Sequence, residues 1–382
     1  MSLTVQNIFK LPDPQEVLEA AGRTLASGAL VVLPTETVYG AAARLDHPDS
    51  LRRLRAARGP VNGAFTIHVA SAAQASNYLG EVSALGRRMM HKLWPGPVAI
   101  TFDVAKDRRE EITKKIGLTE GDLFTDGRIT LRCPDHFAAT AVLSEVNGPV
   151  ALTRVDTASG DRPFTDPILS SLPADVELVI DSGPTRFAKP STIVRVDGNQ
   201  FSIVREGVWD QRIIEKQLQS LVLFVCSGNT CRSPMAAALA RVHLARALGT
   251  TPSHIESKGI TVASAGTFAM PGLKATPQAV EAVAEFGGDL SGHRSQLLTH
   301  ELINAADVIV VMGQSHRMGV EAMSPNAESK IVSLDPEGEV EDPIGGDIDV
   351  YRDLVARFRE LVANRLDETV LKERGVVGGG GK

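Results

Sequence analysis

The segment Cys226-Ser227-Gly228-Asn229-Thr230-Cys231-Arg232-Ser233-Pro234 combines a thiol, a planar cation and several small polar residues. It follows an apolar run at 221–225 that reads as a buried strand. It precedes a helical pattern at 234–248 with Met235, Leu239, Val242 and Leu248 on one side. A strand–loop–helix junction of this kind wraps its loop around the positive end of a helix, where backbone N–H groups converge on an anion. Gly228 is expected to give the loop its backbone freedom, Ser233 to be the N-cap and Pro234 the first helical residue. Arg232, five residues after Cys226, brings a donor fork over that anion. Such a field stabilises a thiolate at Cys226 and makes it a nucleophile at neutral pH. In a chain with 40 Lys and Arg this spacing alone arises by chance, and most free cysteines are packing residues. The strand, glycine, cap and helix around Cys226 favour an oxyanion site.

The whole block resembles the phosphate-binding signature of low-molecular-weight protein tyrosine phosphatases, over about residues 220–370. Ser264-Ala265-Gly266, His293-Arg294-Ser295 after Leu290-Ser291-Gly292, and Asp342-Pro343 also match. The resemblance implies a doubly wound parallel-sheet fold, a phosphorylated protein substrate, and no metal or cofactor. It implies that Cys226 attacks phosphorus. Arg232 and the loop residues Ser227, Gly228, Asn229, Thr230, Cys231 and Ser233 would hold the phosphoryl oxygens. Asn229 and Ser233 would also brace the loop and stabilise the thiolate. Asp342 would protonate the leaving group and then activate water. A second pair, Asp335-Pro336, reads as a turn. Asp342 precedes Ile344-Gly345-Gly346 and the last helix, so it is the choice for the acid.

Tyrosine-selective members usually carry an aliphatic residue where this chain has Thr230. Thr230, with the two glycines after Ile344, resembles the branch that acts on protein phosphoarginine. Phe268 is expected to form one wall, and Ile344 stands where an aromatic rim residue is expected. Phosphoarginine is therefore the first substrate choice and phosphotyrosine the second. Arsenate reductases share this loop but need downstream cysteines, and none follows Cys231. Cys231 is either a reversible disulfide partner of Cys226 or a packed residue. Cys133 is given no role.

In the first half, Leu33-Pro34-Thr35-Glu36-Thr37-Val38-Tyr39-Gly40 follows a buried run at 29–33. A hydroxyl-rich strand end with a glycine exit fits a small-molecule cleft, and equally a plain turn. The string resembles the opening motif of YrdC-like L-threonylcarbamoyladenylate synthases. Trp94-Pro95-Gly96-Pro97, Arg132-Cys133-Pro134, Ser159-Gly160, Ser191-Thr192 and Arg205-Glu206-Gly207 agree in order, over about residues 10–208. The resemblance implies a twisted mixed sheet with a basic cleft. It also implies a reaction joining threonine, bicarbonate and ATP into threonylcarbamoyl-AMP and pyrophosphate, with a magnesium ion, for tRNA modification. It places Thr35 and Thr37 at the threonine and carbamate, and Arg58, Arg132, Ser191 and Arg205 at the phosphates and acid groups. Two departures make the ATP site partly degenerate. The family's Lys-X-Arg triplet reads Ala56-Ala57-Arg58, and its Ser-Ala-Asn before Ser-Gly is replaced by Val155-Asp156-Thr157-Ala158. Arg55 and Arg154 are the cations available to compensate. The alternative reading is a non-catalytic nucleotide- or RNA-binding sensor that regulates the phosphatase.

The elements that must position these residues follow from pattern. In the first half, strands are expected at 29–33, 64–69, 98–102, 129–131, 150–152, 178–180, 192–196 and 202–204. Helices are expected near 14–27, 48–57, 71–78, 82–93 and 135–146. The second half alternates strands at 221–225, 260–264, 307–312 and 330–334 with helices at 234–248, 276–286, 299–305 and 347–368, which predicts a doubly wound sheet. The domains are expected at 10–208 and 221–370, with a linker at 209–220 and a flexible glycine-rich tail at 371–382.

Composition agrees with two α/β domains: 382 residues, 43% hydrophobic and 23% charged, at about 150 residues per domain. A net charge of -6 argues against bulk nucleic-acid binding, and 4% aromatic residues against a base-stacking platform. Three cysteines make no disulfide framework and suit a reducing compartment. With no signal-peptide pattern and no apolar run of membrane length, a cytoplasmic protein without membrane partners is expected.

Overall fold

The computed structural model describes residues 3–59, 63–157, 164–173 and 175–376. The chain divides into two units, Met1–Gln217 and Leu218–Lys382. Among the described residues, no helix is long and apolar enough to cross a membrane. The Ser159-Gly160 pair and residues 377–382 of the expected tail lie outside the described residues.

The first unit is built on one mixed sheet. In chain order its strands are β1 (Thr4–Asn7), β2 (Leu30–Leu33), β3 (Gly40–Arg44), β4 (Ile67–His68), β5 (Val98–Asp103), β6 (Arg128–Arg132), β7 (Val150–Arg154), β8 (Val176–Asp181), β9 (Thr192–Asp197) and β10 (Gln200–Arg205). Among the described residues they lie in the order β1-β8-β2-β3-β7-β4-β6-β5-β9-β10. Every residue of β2 is buried, as its unbroken LVVL run requires. The helix Gln15–Ala26 covers it with Leu18, Ala21, Gly22 and Leu25, one stripe of a 3.6-residue period. Gly22 allows close approach of the helix Phe137–Glu145, since a Cβ there would sit 2.6 Å from that of Glu145.

Several expectations change here. The strand expected at 64–69 shortens to β4, and the helix expected near 71–78 is only a 3₁₀ turn, Ala73–Asn77. β3 reads GAAAR, a composition with little strand propensity. It is held as a strand by antiparallel partners on both sides, β2 and β7. The helix Lys106–Ile116 escaped pattern reading because it buries only Ile112. The first unit also begins before residue 10, because β1 pairs with β8 at the sheet edge. It absorbs most of the expected linker: Trp209 exchanges hydrogen bonds of 2.6 and 3.0 Å with Thr192 Oγ1, and the helix Gln211–Gln217 buries Ile214.

The second unit is a parallel sheet of β11 (Ser220–Cys226), β12 (Ile260–Gly266), β13 (Val308–Val311) and β14 (Ile331–Ser333), in the order β12-β11-β13-β14. Strand alternation sends Val222, Phe224 and Cys226 to one face, against the helices Arg232–Ala247, Pro277–Ala284 and Ile348–Leu366. Leu223 and Val225 face the helices His300–Ala305 and Gln314–Met323 on the other. Helices on both faces make the sheet doubly wound. Cys226 therefore ends the strand from which the chain departs to either side, where ligands bind in such sheets. Packing continues past residue 370, with Leu371 fully buried and Arg374 donating to the Lys258 and Gly259 carbonyls, so the expected tail starts later than 371.

Candidate active sites

In the second unit the loop at 226–232 is tied at both ends by its own side chains. The Cys226 thiol lies 3.0 Å from Ser233 Oγ, and the Asn229 backbone N–H points at Cys226 Sγ at 3.3 Å. Asn229 is fully buried. Its Nδ2 donates to Ser233 Oγ and Ser264 Oγ, both at 2.9 Å, and its Oδ1 accepts from the Gln296 backbone N–H at 2.9 Å. His293 Nε2 lies 2.8 Å from the Asn229 carbonyl.

Two sequence expectations are corrected in this loop. Its left-handed residue is Asn229, at φ 54°, rather than Gly228, where a Cβ would meet only Thr230 Oγ1 at 3.6 Å. Asparagine tolerates that region, and its amide is spent bracing the loop. The helix begins at Arg232, so Ser233 is inside its first turn and is not the N-cap. The hydroxyl goes to the thiol and Asn229, which leaves the first-turn N–H groups for an anion. That helix is buried on all sides from Arg232 to Ala240, not only along one stripe. Gly266, in the expected Ser-Ala-Gly string, has a backbone requirement: a Cβ there would lie 2.3 Å from the Ser227 carbonyl.

Arg232 is 8% exposed and held from several sides. Its Nη1 donates to the Val340 carbonyl at 3.2 Å, and its Nη2 to Asp342 and, at 3.5 Å, to Ser227 Oγ. Cys226, Ser227, Gly228, Asn229, Thr230, Cys231, Arg232, Phe268, Asp342 and Ile344 line one cavity of about 240 Å³. Phe268 and Ile344 are the exposed apolar residues at this cavity. Asp335 is elsewhere, paired with Arg357 and accepting from the Glu337 N–H at 2.9 Å. Cys231 Sγ lies 3.5 Å from the Tyr351 hydroxyl and 3.7 Å from Thr276 Oγ1. Sequence reasoning missed Tyr351, Gln296 and His316. His316 is 4% exposed with Nε2 at 3.0 Å from Ser227 Oγ. Asn229→Ala is expected to destabilise the second unit by about 2 kcal/mol or more, because the buried Ser264 hydroxyl and the Gln296 N–H lose their partner and Ser233 keeps only the Cys226 thiol and the Ala265 carbonyl. Urea denaturation followed in that unit measures it.

In the first unit, Thr35, Arg132, Ser191 and Arg205 line a second cavity of about 250 Å³, together with Thr66, His68, Arg154 and Pro190. Arg132 Nη2 donates to Glu36 Oε1 and Thr37 Oγ1, each at 2.8 Å, so Thr37 stands behind the cavity wall. Arg205 Nη2 donates to the Ser191 carbonyl at 2.8 Å and to its hydroxyl at 3.2 Å. Burial and the neighbouring Arg132 charge push the His68 ring down to about 3 and also lower Arg205. An anion would relieve that concentration of positive charge.

Arg58 is not among the described residues that line this cavity. Its fork donates to the Gly63 and Ala64 carbonyls at 2.8 and 3.3 Å, and it lies 3.8 Å over the Phe65 ring. Of the two compensating cations, Arg55 pairs with Asp122, whereas Arg154 lines the cavity. Burial and the Glu36 charge push the Cys133 thiol up to about 11, which disfavours its thiolate. Arg132→Ala should cost about 3–5 kcal/mol, since it leaves the Glu36 carboxylate buried without its cation. Arg154→Ala, at a half-exposed position, should leave the melting temperature within about 2 °C. Differential scanning calorimetry separates the two.

Two family models match the chain: Sua5_yciO_yrdC, described as telomere recombination, over residues 23–207, and low molecular weight phosphotyrosine protein phosphatase over residues 221–375. The chain is 37% identical over 158 residues to the protein-arginine-phosphatase of Bacillus subtilis (strain 168), covering 40% of this chain and 98% of that protein. It is 37% identical over 143 residues to the probable low molecular weight protein-tyrosine-phosphatase EpsP of Ralstonia solanacearum, covering 37% of this chain and 90% of that protein. It is 24% identical over 212 residues to the threonylcarbamoyl-AMP synthase of Bacillus subtilis (strain 168), covering 55% of this chain and 57% of that protein. From residue 221 onward the chain belongs to the low molecular weight phosphotyrosine protein phosphatase family, and residues 23–207 before it match the Sua5_yciO_yrdC model.

Proposed function

We propose that the second unit hydrolyses phosphorylated protein side chains through a phosphocysteine at Cys226. The convergence of Cys226, Arg232 and Asp342 on one cavity carries this reading. The thiolate attacks phosphorus in line, forming the S–P bond as the P–N or P–O bond breaks. Asp342 gives its proton to the departing group. Its carboxylate then takes a proton from water, which attacks phosphorus and releases inorganic phosphate and the thiolate. Arg232 and the loop N–H groups balance the charge on the equatorial oxygens. A thiolate nucleophile also favours a reducing, cytoplasmic setting.

We further propose phosphoarginine as the preferred substrate. Thr230 puts a hydroxyl at the cavity where a guanidinium would lie, and Ile344 offers no aromatic face to a phenyl ring. The arginine phosphatase relative supports the same choice. Phosphoarginine and phosphotyrosine peptides assayed side by side test it. A higher kcat/KM on phosphoarginine is expected; the reverse order overturns the preference, and no turnover of either overturns the phosphatase reading.

For the first unit we propose threonylcarbamoyl-AMP synthesis from ATP, threonine and bicarbonate. The cavity bearing Arg132, Arg154 and Arg205 supports it, with Arg154 in place of the absent lysine. Among the described residues no cluster of three His, Cys, Asp or Glu is placed to hold a metal, so magnesium would enter on the ATP phosphates. Threonine- and bicarbonate-dependent release of pyrophosphate from ATP is the expected result. Nucleotide binding without release would favour the sensor reading.

A further inference from the structure

Beneath the phosphate loop lies a buried histidine to which the mechanism above gives no task. His316 stands in the first turn of the helix Gln314–Met323, whose start is fixed by Glu339 accepting from the Gln314 N–H at 2.8 Å. Its Nε2 is 3.0 Å from Ser227 Oγ, and Ser227 Oγ is in turn 3.5 Å from Arg232 Nη2. The groups facing the ring are Arg232, Glu339, Asp342 and the Gly313 carbonyl. Burial first, and the Arg232 charge second, push the imidazole below its ordinary range, so it is neutral near pH 7.

The direction of the Ser227 hydroxyl is then set by its neighbours. Arginine only donates, so Ser227 Oγ is the acceptor toward Arg232. Nδ1 of the ring is buried without a hydrogen-bond partner, so Nε2 is the one ring atom that meets Ser227, and with Ser227 Oγ accepting from Arg232 the neutral ring takes the Ser227 proton there. This matters because Asp342 holds the same Arg232 nitrogen in the free protein. When Asp342 turns to the leaving group, the Val340 carbonyl and Ser227 remain to hold the guanidinium in place.

We propose that His316 is a positioning residue for phosphoryl transfer: it orients the Ser227 hydroxyl so that Ser227 anchors Arg232 when Asp342 acts as the acid. The proposal rests on the phosphatase reading above. Without the ring, Ser227 is free to turn its proton toward the phosphoryl group or the thiolate, and Arg232 loses an acceptor. The defect would fall on the transition state more than on the bound substrate.

The test compares wild type, His316→Ala and His316→Gln, the last keeping a neutral acceptor near the Nε2 position. Kinetics on an aryl phosphate would be paired with inhibition by inorganic phosphate and by vanadate, which mimics five-coordinate phosphorus. His316→Ala should lower kcat about 10- to 100-fold with KM within about 3-fold. It should weaken vanadate about 10-fold and phosphate less than about 3-fold, and His316→Gln should recover most of kcat. Wild-type kcat in His316→Ala, equal weakening of the two anions, or no recovery in His316→Gln would each overturn the proposal while wild type stays active. An inactive wild type would overturn the phosphatase reading, and this proposal with it.

Discussion

Cys226→Ser should lose phosphatase turnover by more than about 10³-fold while still binding inorganic phosphate. The asymmetry follows from how the loop is built. The Asn229 backbone N–H that points at Cys226 Sγ, and the Asn229 side-chain bonds to Ser233 and Ser264, do not require sulfur. Arg232 is fixed by Val340, Ser227 and Asp342, and none of these bonds involves the side chain of residue 226. Serine therefore keeps the anion cradle. It replaces a thiol that ionises readily with a hydroxyl that does not, and Ser233 Oγ is too weak a base to make up the difference. Isothermal titration with phosphate and a turnover assay on the same preparation check both halves of the claim.

The second large effect concerns Asp342. Asp342→Asn should lower kcat/KM for phosphoarginine or phosphotyrosine peptides by about 10²- to 10⁴-fold, because those leaving groups need a proton as the bond breaks. An activated aryl phosphate, whose leaving group departs as an anion, should lose much less in kcat/KM. The same substitution should tighten binding of inorganic phosphate. It removes a negative charge from the cavity wall and frees the Arg232 nitrogen that Asp342 occupies. Asp335→Asn is the control. Asp335 pairs with Arg357 and accepts from the Glu337 N–H outside the cavity, so kcat should be unchanged and only stability should fall. A leaving-group-dependent loss in Asp335→Asn would transfer the acid role to that residue.

Much of the fold was legible because it depends on buried runs of ordinary strand formers. β2, β11 and β13 are apolar over nearly their whole lengths and could be read directly. β3 could not, because glycine and alanine form a strand there only through pairing with β2 and β7. The connector at 209–220 looked free because it is polar. The buried Ile214 and the Trp209–Thr192 exchange bind its first part, up to Gln217, to the first unit. Neither contact has a local signature.

The same division holds for the sites. The spacing from Cys226 to Arg232, and Asp342 before the last helix, were visible as a string, and those residues share one cavity. The string could not show which loop residue takes the left-handed conformation. Glycine was the expectation from sterics alone, yet Asn229 takes it because its side chain has three partners across the loop. His316 comes from a helix about 90 residues further on and meets Ser227 only through the tertiary fold. In the first unit, Arg58 was assigned to the cavity by position in a motif. Its guanidinium meets residues 63–65, and Arg154 and His68 are among the residues that line the cavity.

The most direct test is to trap the covalent intermediate. Asp342→Asn protein mixed with an activated aryl phosphate should form the phosphocysteine and lack the base that hydrolyses it. After an acid-free quench and digestion, mass spectrometry should find the phosphoryl group on the peptide carrying Cys226. Turnover that continues with Cys226 unmodified, or a phosphoryl group on any other residue, would contradict the account.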